Sequence, residues 1–338
     1  MSEPPFPQQV IDTLLSYQKA AALASALELR LFSAIHEGAC RIPEIARACD
    51  IHPRGAQSLA DFMVAEGFLT KNDATYALSA EAARFLVQDS PSYMGSVHAF
   101  LHGDTLQDAF RNLTTALRLG RTALQDAGTM NPEHPAWLDF ARGMVPVIRS
   151  QSQQLCARVA QRGINPRSVL DIACGHGLYG IAAAQRWPTA QLTLQDWEPI
   201  LEVARENAAV AGVGERLQML AGDAHQMDLG GPHDLVLVAN FLHHFSLEAC
   251  VLFLRRLRQA MAPGGMVVTL ESLIHEDRVT PADPARFSLV MLATTEAGDA
   301  FTGSVMEQLY RDSGFASRGQ EELEEFGASA CFGEAMTD

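Results

Sequence analysis

Apolar residues recur with helical period from about residue 8 to residue 37, at Val10, Leu14 and Leu15 and then at Ala22, Leu23, Ala26, Leu27 and Leu31. This pattern predicts amphipathic helix. Arg41–Cys49 predicts a short second helix, closed by the turn Asp50-Ile51-His52-Pro53, and Arg54–Glu66 predicts a third with Leu59, Phe62 and Met63 on one face. Gly67–Thr70 and Tyr76–Leu78 then flank an Asn72-Asp73 turn and predict a two-stranded wing. Helix, turn, helix and wing together form a winged-helix pattern. Residues 91–162 read as mostly helical, with breaks at Gly120 and from Asn131-Pro132 to His134-Pro135.

Past Gly163-Ile164-Asn165-Pro166 the pattern changes. Short apolar runs alternate with amphipathic helices, which predicts a parallel sheet covered on both faces. The expected strands are Ser168–Ile172, Gln191–Gln195, Gln218–Ala221, Leu235–Asn240 and Met266–Leu270. The fold class is therefore α/β: a Rossmann-like doubly wound domain behind an N-terminal all-helical, winged-helix domain. The expected divisions are 1–90 for the winged-helix domain, 91–162 for a helical connector and 163–338 for the Rossmann-like domain. No repeat of 20–50 residues interrupts this plan.

Composition narrows the function. A formal charge of −15 weighs against nucleic acid or an anionic membrane as the main partner. The third helix agrees, since it offers Arg54 and Gln57 but then Asp61 and Glu66, whereas a groove-reading helix needs several cations. A DNA-binding regulator is thus the remote alternative, and the Ala-rich helices suit packing and association. The N-terminus carries no signal-like pattern and no apolar run is long enough to span a bilayer. The six cysteines are scattered without a Cys-x-x-Cys pair, which predicts reduced thiols, a cytoplasmic setting and no zinc site.

The chemistry concentrates at the expected strand ends, where doubly wound sheets bind ligands. After the first strand comes Asp171-Ile172-Ala173-Cys174-Gly175-His176-Gly177-Leu178-Tyr179-Gly180. Gly175, Gly177 and Gly180 satisfy the Gly-x-Gly-x-x-Gly fingerprint of dinucleotide sites, with Asp196 near the ribose-binding position. Asp171 tips the reading away from a dinucleotide: its carboxylate would repel a pyrophosphate but suits a ligand carrying an ammonium and a sulfonium. S-adenosylmethionine is such a ligand. Asp196 would accept from both ribose hydroxyls, and Gly222, Asp223 and Ala224 would read an adenine edge. Asn240-Phe241-Leu242-His243-His244-Phe245 follows the fourth strand, and Ala262-Pro263-Gly264-Gly265 leads into the fifth.

In this order, Asp171-x-x-x-Gly175-x-Gly177, Asp196, Gly222-Asp223 and Pro263-Gly264-Gly265 resemble the motif series of class I S-adenosylmethionine-dependent methyltransferases. The winged helix and His243-His244-Phe245-Ser246-Leu247-Glu248-Ala249-Cys250 make the chain similar to two-domain small-molecule O-methyltransferases, over roughly residues 10–316. The resemblance implies a homodimer formed through the N-terminal domain and a small aromatic acceptor methylated on a hydroxyl. It makes Asp171, Gly175, Gly177, Asp196, Gly222, Asp223, Ala224 and Asn240 the cofactor-binding set. The family pattern His-Asp-Trp-Ser-Asp-Glu-x-Cys begins with the catalytic base, which maps onto His243 and puts His244 at the Asp position. An imidazole suits that task near neutral pH. Glu271 matches an acid that flanks the base; a helix-capping role for His243 or His244, a structural His244 and a solvent-facing role for Glu271 stay open.

Two departures stand out. A second flanking acid of plant members falls at Ala300, with Asp299 beside it. After Ser313-Gly314-Phe315 the family continues into an antiparallel strand pair, for which Glu321–Asp338 looks poor material, so a divergent or partly missing last hairpin is expected. The implied acceptor pocket draws on Phe100, Trp137, Phe140, Met144, Phe241, Phe287 and Met291, side chains suited to a flat apolar molecule. His98 and His102 have metal-ligand spacing, but no acid completes a set and no metal is expected. Relatives of this fold also methylate carbon or nitrogen, decarboxylate or hydroxylate, and these alternatives stay open.

Overall fold

Arg30 takes a left-handed backbone, φ 56°, and splits the first apolar run into α1 (Gln8–Glu28) and α2 (Leu31–His36). They are followed by α3 (Ile42–Ala48), α4 (Pro53–Ala65), the hairpin β1 (Leu69–Asn72) and β2 (Thr75–Leu78), then α5 (Ala80–Phe85) and α6 (His98–Leu101). The computed structural model describes residues 7–125, 128–130, 134–323 and 327–336. It contains two units, Met1–Gly103 and Asp104–Asp338. In the first, Leu31, Phe32, Ile45, Met63, Leu69 and Tyr76 form the core. Gln57 and Asp61 of α4 face the wing: Asp61 accepts from Lys71, Tyr76 and Gln57, and these bonds hold its carboxyl down to about 2. In this helix-turn-helix-wing module Gln57 and Asp61 are engaged by Lys71 and Tyr76 of the wing.

The second unit runs α7 (Asp104–Arg111), α8 (Leu113–Leu119), α9 (Pro135–Gly143), α10 (Val145–Gln161), β3 (Ser168–Ile172), α11 (Leu178–Arg186), β4 (Gln191–Asp196) and α12 (Glu198–Val210). It continues through β5 (Leu217–Ala221), β6 (His233–Ala239), α13 (Leu247–Gln259), β7 (Met261–Ser272), α14 (Ala282–Thr294), α15 (Gly303–Asp312), β8 (Phe315–Glu322) and β9 (Ala328–Ala335). The sheet order is β5-β4-β3-β6-β7-β9-β8; the first five strands and the edge strand β8 run in one direction, and β9 alone runs against them. The chain reverses its direction of travel across the sheet between β3 and β6, which opens the ligand crevice at their carboxyl ends. All five expected strands are present. β7 starts earlier than expected because Met261 pairs with His233 and an irregularity between His233 and Leu235 carries Ala262–Gly265 along with the strand.

The expectation of a divergent or missing last hairpin is corrected. β9 lies between β7 and β8, and Leu270, Glu271 and Ser272 pair with Ala330, Ser329 and Ala328. Its residues are small for a packing reason. A Cβ at Gly333 would come within 2.9 Å of Val267 Cγ1 and 3.2 Å of the Tyr310 ring. Tyr310 occupies that volume, donating its hydroxyl to the Cys331 carbonyl at 2.8 Å. The acidic run is acidic because β8 is the sheet edge: Glu321 pairs with Arg158 and Arg162, and charged side chains on an edge strand discourage pairing with other chains.

Candidate active site

The loop after β3 turns through three left-handed residues, Ala173 (φ 48°), Gly175 (φ 56°) and Gly177 (φ 74°), and Gly177 starts α11. Gly175 meets almost nothing, since a Cβ there would touch only Phe140 Cε1 at 3.8 Å. Gly177 and Gly180 are packing glycines. A Cβ on Gly177 would lie 2.9 Å from Ala204 Cβ, and one on Gly180 would collide with Leu194 Cδ2. Asp171 is buried beneath this turn. Its Oδ2 accepts from Gly180 N at 2.7 Å, while Oδ1 is buried with no hydrogen-bond partner. Asp196, also buried, accepts from Gly175 N at 2.8 Å and Trp197 N at 2.7 Å.

Burial is the main cause that pushes the Asp171 carboxyl up to about 7 and Asp196 up to about 6, and the Asp196 charge adds to the shift at Asp171. Among the described residues no ammonium or guanidinium offsets either acid. Two buried carboxylates without a cation, an orphaned carboxylate oxygen and an open-faced Gly175 fit a cationic ligand such as S-adenosylmethionine and disfavour a pyrophosphate.

A stability test follows. A carboxyl whose folded pKa lies above its unfolded 3.8 binds more protons in the native state, so stability falls as pH rises between about 4 and 7. Without cofactor, the melting temperature of the wild type relative to Asp171→Asn should therefore drop across this window. Taking the difference separates Asp171 from Asp61 and Asp277, whose carboxyls are held down to about 2 and slope the other way below pH about 4. Parallel melting curves for the two proteins would remove the buried-charge assignment.

The remaining strand ends bring further polar groups. Gly222 N donates to the Asp196 carbonyl at 3.1 Å, tying the β5 end to the β4 end. Asp223 accepts from His225 N and Gln226 Nε2, both at 2.8 Å, and Ala224 beside it is buried. Asn240 is left-handed at φ 53° and bonds the buried Tyr179. Tyr179 in turn donates its hydroxyl to Gln151 of α10 at 2.6 Å.

His243 lies in a 3₁₀ turn, Leu242–His244, directly after β6. Glu271, on β7, is buried at 1% exposure and holds that turn twice. Its Oε1 accepts from Leu242 N at 3.0 Å, and its Oε2 takes His243 Nδ1 at 2.5 Å. Glu271 therefore faces the imidazole and not solvent. With Nδ1 carrying the proton toward the carboxylate, the neutral ring presents Nε2 as an acceptor. The His243 carbonyl is fixed from the other side: Asp299 N donates to it at 3.0 Å. Asp299 does not offer its carboxylate to the imidazole. It takes Arg278 Nη2 at 2.8 and 2.7 Å and also bonds Ser288.

The aromatic candidates divide. Phe287 lies edge-on to the His243 ring with centroids 4.8 Å apart, and Trp137 edge-on to His244 at 5.2 Å. Phe140 stacks near His176, and Met144 joins α9 to α10. Phe241 packs instead with His225, Phe245 and Phe253 in the core beneath the turn. Met291 is buried, its carbonyl accepting from Thr295. Phe100 lies on α6 in the other unit, with His98 bonded to the Gly95 carbonyl. Among the described residues no three His, Cys, Asp or Glu side chains gather as metal ligands.

Several members of the site escape sequence reasoning. His176 is buried, accepts from Leu178 N through Nδ1 at 3.1 Å, and leaves Nε2 buried without a partner. Burial pushes its imidazole down to about 3. Tyr179, Gln151, Arg278 and Gly298 escape it too. Only Gly298-Asp299, a turn signal after a helix, hints at its part.

This arrangement belongs to transferases of the doubly wound kind that use a cationic nucleoside cofactor. Residues 108–316 match the O-methyltransferase domain and residues 11–89 the O-methyltransferase dimerisation domain, and the chain belongs to this family of S-adenosylmethionine-dependent O-methyltransferases. It is 28% identical to the 3-hydroxy-5-methyl-1-naphthoate 3-O-methyltransferase of Streptomyces sahachiroi, over 91% of this chain and 89% of that one. A candidate O-methyltransferase of Nostoc punctiforme has a crystal structure that superposes with a TM-score of 0.93 at 39% identity, covering 98% of this chain and 100% of that one. Human N-acetylserotonin methyltransferase, solved in complex with S-adenosylmethionine, shares the fold at a TM-score of 0.86 and 20% identity, with 100% of both chains covered. No helix among the described residues is long and apolar enough to cross a membrane.

Proposed function

We propose that this enzyme methylates a phenolic hydroxyl of a small aromatic metabolite, with His243 as general base and Glu271 as its orienting acid. The buried 2.5 Å contact between His243 Nδ1 and Glu271 Oε2 carries this reading. Glu271 selects the tautomer with its proton on Nδ1 and stabilises the imidazolium that forms. Asp171, Gly175, Gly177, Asp196, Gly222, Asp223, Ala224 and Asn240 hold the cofactor. When bound, S-adenosylmethionine supplies a methyl group on a sulfonium, which departs as a neutral thioether. His243 Nε2 takes the hydroxyl proton while the acceptor oxygen bonds the methyl carbon and the carbon–sulfur bond breaks, so charge and protons balance. The rings of Trp137, Phe140 and Phe287 favour a flat acceptor, and the naphthoate enzyme named above methylates a ring hydroxyl.

The enzyme works as a cytoplasmic homodimer in this reading. Its dimerisation domain and the exposed Val10, Leu14 and Tyr17 of α1 support the association, and its free cysteines support a reducing compartment. Incubation with hydroxyarenes and isotopically labelled cofactor, followed by mass spectrometry and NMR of the product, is expected to find the label on oxygen. Label on ring carbon or on nitrogen, or release of carbon dioxide without label transfer, overturns the proposal.

A further inference from the structure

His243 and His244 stand side by side with ring centroids 4.2 Å apart and planes tilted by 40°. Each ring has its Nδ1 committed to an acceptor that carries no proton: Glu271 Oε2 for His243 at 2.5 Å, and the Phe241 carbonyl for His244 at 3.2 Å. A carbonyl only accepts, so His244 must carry its proton on Nδ1, and its Nε2 is left as a lone pair. Among the described residues the buried unpartnered atoms include neither Nε2. Two neighbouring imidazoles of the same tautomer thus each keep an accepting Nε2. Trp137 lies edge-on against the second ring at 5.2 Å and fixes its plane.

We infer that His244 is a specificity-determining residue that accepts a hydrogen bond from a second donor on the substrate, so that the enzyme selects arenes whose methylated hydroxyl has a neighbouring O–H or N–H. This rests on His243 being the base. A single donor leaves the Nε2 of His244 without a partner once the acceptor ring covers the site, whereas an adjacent donor pair satisfies both nitrogens. Burial and the neighbouring His243 push the His244 imidazole well below its ordinary range, which keeps it a neutral acceptor at working pH. It also refuses a carboxylate beside the reacting oxygen, because two acceptors facing each other cannot bond.

The test compares 2,3-dihydroxynaphthalene with 2-naphthol, bound by calorimetry to enzyme saturated with S-adenosylhomocysteine and then assayed with S-adenosylmethionine. One neutral hydrogen bond supports a preference for the diol of about fivefold to tenfold. That preference should vanish in His244→Phe, which keeps the flat ring but no acceptor. It should survive in His244→Gln, whose amide oxygen restores one. Equal binding of the two probes by wild type, or an unchanged preference in His244→Phe, overturns the inference. If 2-naphthol is methylated without a diol preference, only the role of His244 falls. If neither naphthol is methylated, the aromatic-hydroxyl reading falls with it.

Discussion

Asparagine at position 243 is expected to slow the chemical step by about 10²–10⁴-fold, the range a positioned base contributes, while leaving cofactor affinity unchanged. The side-chain amide of His243→Asn keeps a donor for Glu271, so the turn at Leu242–His244 retains its hold through Leu242 N and Glu271 Oε1. What is lost is the basic nitrogen. The acids that fit the cofactor, Asp171 and Asp196, sit on β3 and β4 and touch neither histidine through any hydrogen bond. Single-turnover rates with a naphthol, beside calorimetry with S-adenosylhomocysteine, separate the two effects. Near-wild-type turnover would end the base assignment, and a parallel loss of cofactor affinity would make His243 a structural residue.

The second large effect belongs to Gly177→Val. Its φ of 74° costs an L residue about 1–2 kcal/mol, and a β-branched one more. A Cβ there would lie 2.9 Å from Ala204 Cβ and 3.3 Å from Leu194 Cδ1, inside a packed core where forced methyl groups cost about 1–3 kcal/mol. Together these should lower the melting temperature on the order of 10 °C and abolish cofactor binding by displacing the loop. Gly175→Ala is the contrast. It bears the same backbone cost of about 1–2 kcal/mol at its φ of 56° but finds open space, so it should lose less stability than Gly177→Val while placing a methyl group on the loop's open face. Thermal unfolding and cofactor titration of both variants check the distinction, and a Gly177→Val protein that melts like wild type would refute the close packing.

The parts of this molecule legible in its sequence are those governed by local pattern. Val169, Leu170 and Ile172 announce β3 because a strand buried on both faces has to be apolar. Gly175 and Gly177 announce the turn because few other residues tolerate its backbone. His243 and Glu271 are legible only through a motif, since their contact spans 28 residues of sequence that no periodicity predicts. β9 is illegible because its composition answers to Tyr310 and Val267, which only the folded sheet brings beside it. The same holds for Asp299. Its proximity to Ala300 suggests a substitute catalytic acid, but its carboxylate is directed to Arg278 and its backbone to His243. Buried Asp171 shows the converse: the sequence places it at the turn, and only the packing reveals that it lies beneath and not at the mouth.

The turn that carries the two histidines is held almost wholly by main-chain atoms. Leu242 N is bound by Glu271, the Leu242 carbonyl by the Cys250 thiol, and the His243 carbonyl by Asp299 N. Gly298 presses on the same segment, where a Cβ would collide with the His243 carbonyl and come within 3.1 Å of His244 Cα. Positions 243 and 244 therefore behave as a socket whose backbone is fixed mainly from outside the two side chains it presents. In such a socket a lineage can exchange one side chain for another, acid for imidazole or imidazole for amide, and explore new acceptors one substitution at a time without first passing through an unfolded ancestor. The rigidity of the backbone is the source of the adaptability of the chemistry.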